Sequence, residues 1–131
     1  MKLNLSRFAP YLLSALRIAA AAIFIPHGTQ KLFYFPNAPH PALPWFSQIW
    51  FAGVLEVFGG ALMLLGLFNR PVAFLLAGEM AVAYFQEHLP RGPWPILNEG
   101  ELAVLFFFIW LYFVAAGPGP WSLDAIVRKR R

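Results

Sequence analysis

The sequence predicts an all-α membrane protein, a four-transmembrane-helix bundle whose neighbouring helices run antiparallel. Three observations carry that expectation. Apolar residues fill 60% of the 131 positions and charged residues only 12%, about half the charged share of an ordinary soluble domain. A soluble domain this small cannot hide so much apolar surface, whereas one in lipid need not. The apolar residues fall in four segments, residues 10–35, 45–68, 71–89 and 100–116, each close to the roughly 20 residues that cross a bilayer. Lysines and arginines gather on one side of those segments, as cytoplasmic loops do. One domain, residues 1–131, accounts for the whole length.

The first segment follows Lys2 and Arg7 and contains four alanines, Ala19 to Ala22, so it invites comparison with a signal peptide. Arg17 inside the run, and apolar sequence beyond the alanines, argue for a retained helix instead. Pro26 predicts a kink near Ile25. A Pro-rich loop, residues 36–44, leads to the second segment, where Gly59 and Gly60 allow close packing. At the next link Gly66 stops a helix, Asn69 caps the following one and Pro71 suits its first turn. The second and third helices then form a hairpin, with Ala73, Ala77 and Ala81 as a small-residue stripe. The fourth segment is short, opens with a capping-box-like Asn98-Glu99-Gly100-Glu101, and is extended by residues 117–121.

Lys2, Arg7, Arg70 and the terminal Arg128, Lys129, Arg130 and Arg131 share one side of four spans, against Lys31 and Arg91 on the other. Both termini are therefore expected in the cytoplasm (N-in/C-in), with the terminal basic run near anionic lipid. The formal charge of +4 thus has a membrane explanation and is no nucleic-acid signal. The absence of cysteine excludes a disulfide, a thiolate metal site and dithiol redox chemistry.

A charge inside the hydrocarbon costs on the order of 2.5–3.5 kcal/mol on insertion scales, so each one asks for a partner. Counting rise from the cytoplasmic edge puts Arg17, Glu79 and Glu56 about 10, 12 and 18 Å deep. One arginine facing two glutamates reads as a structural ion-pair cluster. Nearer the outer face, His27 and Lys31 continue a polar stripe up the first helix, opposite Gln86, Glu87 and His88 and opposite Asn98, Glu99 and Glu101. His27, Lys31, Asn98 and Glu101 are the ligand-binding candidates, and Glu56, Glu79 and Glu101 the proton-relay candidates. Plainer readings stand beside these: a register-fixing ion-pair network, a helix cap at Asn98, and Lys31 and His88 among headgroups. Phe106-Phe107-Phe108 reads as packing or lipid contact, and His40 points to no role. No HExxH spacing, phosphate loop or Ser-His-Asp set is present, and no metal is expected.

Several of these stretches, in order, resemble the DoxX family of small bacterial and archaeal membrane proteins. Arg17 is followed by Pro26-His27-Gly28-Thr29-Gln30-Lys31-Leu32, like the family's hG-x-x-K-l. Glu56-Val57-Phe58-Gly59-Gly60 with Leu64-Leu65-Gly66-Leu67 and Arg70 resembles E-x-x-G-G…l-l-G-l and the arginine after it. Asn98-Glu99-Gly100-Glu101 resembles N-G-G-E, with Glu99 in place of the first glycine, and residues 117–124 resemble G-p-G-x-x-S-l-D. The resemblance spans nearly the whole chain. It implies a four-helix bundle in a bacterial or archaeal cytoplasmic membrane, at most a subunit of a membrane oxidoreductase. The family takes its name from a subunit of a thiosulfate:quinone oxidoreductase, and some members are linked to thiol-redox or oxidative-stress complexes. On this reading a quinone headgroup binds at His27 and Lys31, Glu101 and Glu56 relay protons, and electrons come from a redox partner protein. A small proton-coupled transporter and a non-catalytic assembly subunit remain as alternatives, and a homo-oligomer is compatible with all three.

Overall fold

A computed structural model describes residues 3–38 and 40–129; Lys2, Arg130 and Arg131 lie outside the described residues. Every regular element among the described residues is helical. Helix α1 spans Ala9–Phe33, after a 3-10 turn at Leu5–Phe8, and runs unbroken through Pro26. Helix α2 spans Gln48–Leu65 and widens into a π-helical turn at Leu55–Gly59. Helix α3 begins as Asn69–Ala83, continues as a second π-helical turn at Tyr84–His88 and ends in a 3-10 turn at Leu89–Arg91. A short α4, Pro95–Asn98, precedes α5, Glu101–Ala116, and a tail helix α6, Leu123–Lys129, follows.

Several local signals act as the sequence predicts. Gly66 ends α2 in the left-handed conformation (φ 69°), with Leu67 N–H donating to Leu62 O at 2.9 Å. The second helix starts later than position 45 because the Ser47 hydroxyl caps it, accepting from Trp50 N–H at 3.3 Å. Two caps differ from expectation. Asn69 does not cap α3 with its side chain; the cap comes from the tail, where the Asp124 carboxylate accepts from Phe68 N–H (2.9 Å) and Asn69 N–H (2.8 Å). Asn98 does not cap α5 directly either. Its Oδ1 accepts from Gly100 N–H at 2.8 Å, and Gly100 is the capping residue.

The helices associate in two tight pairs. α1 lies on α2 with contacts running in opposite order along the two segments. A Cβ on Gly53 would meet Lys31 at 2.9 Å, one on Gly28 would meet Glu56 at 2.8 Å, and one on Gly60 would meet Ile25 at 2.6 Å. α3 lies on α5, tied at one end by Asn69 Nδ2 to Phe113 O (3.1 Å) and at the other, through the adjoining α4, by Asn98 Nδ2 to Tyr84 Oη (3.3 Å). The core between the pairs holds Phe24, Met63, Leu76, Phe106, Trp110 and Phe113 with Ala73 and Ala77. Ala73 and Ala77 of the small stripe thus lie in this shared core, while Ala81 is only partly buried. The expected α2–α3 hairpin is only partly realised: Gly59 approaches Leu76, but towards the end that holds the 36–44 loop the two helices part.

Outward faces are apolar throughout. Ile23, Phe58, Phe74, Leu105, Phe108 and Tyr112 are each more than half exposed. Such faces are unstable in water but ordinary in lipid. α1 and α2 are long and apolar enough to cross a membrane; α5, at 16 residues, is a shorter apolar helix.

Candidate functional site

The intramembrane charges do not form one cluster. They separate into two layers, and Arg17 belongs to the layer at the end carrying both termini. It is fully buried. Its Nε donates to Met63 O at 2.8 Å, Nη2 to Trp121 O at 2.6 Å, and Nη1 to Pro118 O. Ser14 joins this clasp, its hydroxyl donating to Pro118 O and accepting from Trp121 N–H. The expected ion-pair cluster of Arg17 with Glu56 and Glu79 is therefore corrected. The depth count placed the chain end outside the bundle, whereas residues 117–122 fold back beneath it and offer carbonyls before any carboxylate comes within reach. Arg17 caps the C-terminal end of α2, a favourable place for a cation beside a helix dipole.

Glu56 pairs instead with Lys31, Nζ to Oε2 at 2.8 Å, and Nζ also donates to His27 O at 3.3 Å. The pair exists because α1 and α2 cross closely. Gly28 and Gly53 each stand three residues before a charged partner, and both positions exclude a Cβ. Glu56 lies inside the π-helical turn Leu55–Gly59 and is buried. Such turns frequently mark functional sites.

The Lys31–Glu56 pair forms part of the lining of a groove of about 480 Å³ between α2 and α3. Glu79 lines it from α3. Both Glu79 carboxyl oxygens are buried without a cation or N–H donor bonded to them among the described residues, and the Glu56 carboxyl is close enough to share a proton with them. Phe51, Leu55, Leu75 and Val82 give the groove apolar walls. Gln48 Nε2 donates to Gln86 Oε1 at 2.8 Å and ties the two helices at the groove's far end. Glu87 and His88 also line it.

The remaining candidates lie elsewhere. His27 is half-buried beside Phe106, ring centroids 6.4 Å apart and edge to face, and does not line the groove. Asn98 is fully buried, with Nδ2 donating to Gly92 O at 2.9 Å as well as to Tyr84. Its bonds hold the α4–α5 link together, which leaves it poorly placed as a ligand contact. Glu101 is exposed and lines a separate depression with Pro95, Ile96, Glu99 and Leu102. The grouping of His27, Lys31, Asn98 and Glu101 is thus corrected: Lys31 is drawn to α2, while α5 presents Glu101 outside the groove. Glu99 has φ 62°. Glycine suits this position in the family pattern because of the turn's left-handed backbone, a reason independent of any ligand. Phe106 is buried and Phe108 largely exposed, so the phenylalanine run serves both packing and the outer face.

Sequence reasoning missed Gln48 in the groove, Ser14 in the clasp and Asp124 as the cap of α3, and it named Gln86 without its partner Gln48. The paired spacings Gly28-x-x-Lys31 and Gly53-x-x-Glu56 were the available signal for the crossing.

Comparisons with known proteins agree with the resemblance. The DoxX family profile matches residues 12–89. An uncharacterized protein of Haemophilus influenzae is 44% identical over 126 residues, 92% of this chain and 94% of the relative. The uncharacterized membrane protein Rv3486 of Mycobacterium tuberculosis is 26% identical over 133 residues, 88% of this chain and 80% of that protein. No solved structure matches the chain. On the family match and the extended likeness to the Haemophilus protein, the chain belongs to the DoxX family.

Proposed function

We propose that this membrane protein binds a quinone-like amphiphile in the α2–α3 groove and exchanges protons with it, as a subunit of a redox-associated system. The observation that carries the reading is the buried Glu79 carboxyl, with no cation of its own, beside the Lys31–Glu56 pair in an apolar-walled groove. About 480 Å³ is within the ordinary range for small-molecule sites. A flat headgroup with two carbonyl acceptors meets donors in the Lys31 ammonium and a protonated carboxyl. Its apolar tail leaves along Phe51, Leu75 and Val82, which are already about half exposed. Two-electron reduction of a quinone takes up two protons. Glu79 delivers them one at a time, reloading from water by way of Glu56 between the two transfers, and a partner redox protein supplies the two electrons. The set of Lys31, Glu56 and Glu79 is neutral when one carboxyl carries a proton, so proton loss and gain change its charge by one. Of the three relay candidates from sequence, this reading keeps Glu56 and Glu79 and leaves out Glu101.

The same reading places four antiparallel crossings in a cytoplasmic membrane, with both termini inside. Because the chain has no cysteine, single-cysteine variants Ser6→Cys and Asn37→Cys report topology cleanly. Impermeant maleimide should label the second and spare the first in intact cells.

Binding is tested by titrating a short-chain quinone into the protein in nanodiscs and following tryptophan quenching. Saturable binding weakened about tenfold by Glu79→Gln and by Lys31→Met, the loss of roughly one charge-assisted hydrogen bond each, is the expected result. Absence of saturation, or variants indistinguishable from the parent, would sink the reading. One observation favours a second reading as a proton-coupled carrier of lipophilic cations: acids outnumber bases in the groove, Glu56, Glu79 and Glu87 against Lys31. Glu79-dependent cation flux into liposomes, without quinone binding, would favour that carrier.

A further inference from the structure

A second cavity opens at the end carrying both termini. It measures about 440 Å³ and is lined by residues 116–120, Ala125, Arg70, Arg128 and Lys129. Among the described residues three cations and no acid line it. Arg70 is held in place, its Nη1 donating to Val114 O at 2.9 Å and Ala115 O at 2.7 Å at the end of α5. Its Nε and Nη2 make no hydrogen bond among the described residues. Gly117 leaves room for the guanidinium, since a Cβ there would stand 3.2 Å from Nη2. Arg128 and Lys129 come from α6, which is itself fixed by Asp124 bonding to the start of α3 and by Asp124 N–H donating to Gly66 O at 3.0 Å. The Asp124 carboxylate is spent on that cap and does not line the cavity.

The surroundings indicate the depth in the membrane. Tyr11 and Trp121, each about half exposed, pack with ring centroids 5.5 Å apart at this end, and such amphipathic aromatics sit at the headgroup level. Ile126 and Val127 expose apolar surface on the same tail helix.

We propose that this cavity binds the phosphate diester of an anionic phospholipid headgroup, with Arg70 as the fixed donor and Arg128 and Lys129 as the closing wall. Basic pockets between helices on the cytoplasmic side suit such headgroups. Here the apolar tail surface accommodates the acyl chains, which a free phosphate lacks. The inference does not depend on what fills the α2–α3 groove.

The test leaves Arg70 intact, because it also ties α3 to α5. The purified full chain in detergent is titrated with phosphatidylglycerol or phosphatidylcholine and read by native mass spectrometry. One saturable phosphatidylglycerol per chain is expected, favoured over phosphatidylcholine by roughly tenfold or more, since each cation near an anionic surface contributes about fivefold. The exposed double variant Arg128→Gln/Lys129→Gln should abolish that preference with thermal unfolding unchanged. Arg7→Gln, which removes one charge at the same end outside the cavity, should leave most of it. Equal loss per charge removed would show diffuse attraction and overturn the pocket. Displacement of the lipid by equimolar inorganic phosphate would overturn the lipid assignment.

Discussion

Replacing Arg17 by methionine keeps most of the side-chain volume and removes the charge and five donors. Three carbonyls then lose one donor, Met63 O, Trp121 O and Pro118 O, although Met63 O keeps Gly66 N–H at 3.1 Å. A hydrogen bond to a charged group contributes about 1.5–3 kcal/mol. The full sum is not expected, because Pro118 O keeps the Ser14 hydroxyl and Trp121 O lies in a part-buried setting where water can enter. A net loss of about 3–5 kcal/mol is expected, the range for breaking a buried charged network. Equilibrium unfolding in mixed micelles of mild detergent and dodecyl sulfate, followed by tryptophan fluorescence, measures it. The sharper measurement is the double-mutant cycle. Arg17 and Glu56 share no partner, so Arg17→Met and Glu56→Gln should add to within about 0.5 kcal/mol. Arg17→Met with Asp124→Asn should couple by about 0.5 kcal/mol or more, because both residues anchor the same returning tail. Coupling above about 1 kcal/mol between Arg17 and Glu56 would restore the mid-membrane ion-pair cluster and refute the clasp.

Gly28→Ala should destabilise by about 1–3 kcal/mol in the same unfolding assay, because its Cβ would stand 2.8 Å from Gly53 O, a backbone atom that cannot rotate away. A loss under about 0.5 kcal/mol would mean that the α1–α2 crossing is not tight. Gly78→Leu should leave stability within about 0.5 kcal/mol, since nothing lies within 4 Å of a Cβ there. It should nevertheless block quinone binding in nanodiscs by filling the groove; undiminished binding would place the ligand elsewhere. Glu99→Gly should gain up to about 1 kcal/mol by relieving the left-handed backbone. Loss of the exposed Arg91–Glu99 pair, 3.3 Å apart, offsets that by about 0–1 kcal/mol, so a net loss beyond 1 kcal/mol would reveal a further role for Glu99.

Local signals were legible where one residue decides its own conformation. Gly66 and the apolar helical runs belong to this class. Partners were legible only where two segments approach on a fixed axis. The rise along α1 gave Arg17 a depth but no direction, and its true acceptors are carbonyls, which every residue carries and no pattern distinguishes. Asp124 is the converse case. A carboxylate 55 positions from the amide that it caps leaves no trace in a pattern read turn by turn. Lys31 and Glu56 were both singled out, but their pairing depends on the Gly28–Gly53 crossing, a property of two sequences read together. Glu101 and Asn98 were drawn towards Lys31 by shared depth, while the azimuth of α5 carries Glu101 away from the groove.

The two layers divide the polar residues by consequence. At the end carrying both termini three charges are spent on backbone: Arg17 on α2 and the tail, Arg70 on α5, Asp124 on α3. Those bonds fix where the helices start and stop. In the other half the tight contacts join α1 to α2 and α3 to α5, and the α2–α3 seam is held by Gly59 on Leu76 below and Gln48 on Gln86 above. Both π-helical turns lie on the helices of that seam, one carrying Glu56 and the other Gln86. A seam joined at two points can admit a ligand without breaking the packing of either tight pair. The buried Glu79 carboxyl faces that seam, where the groove leaves space for a partner besides Glu56.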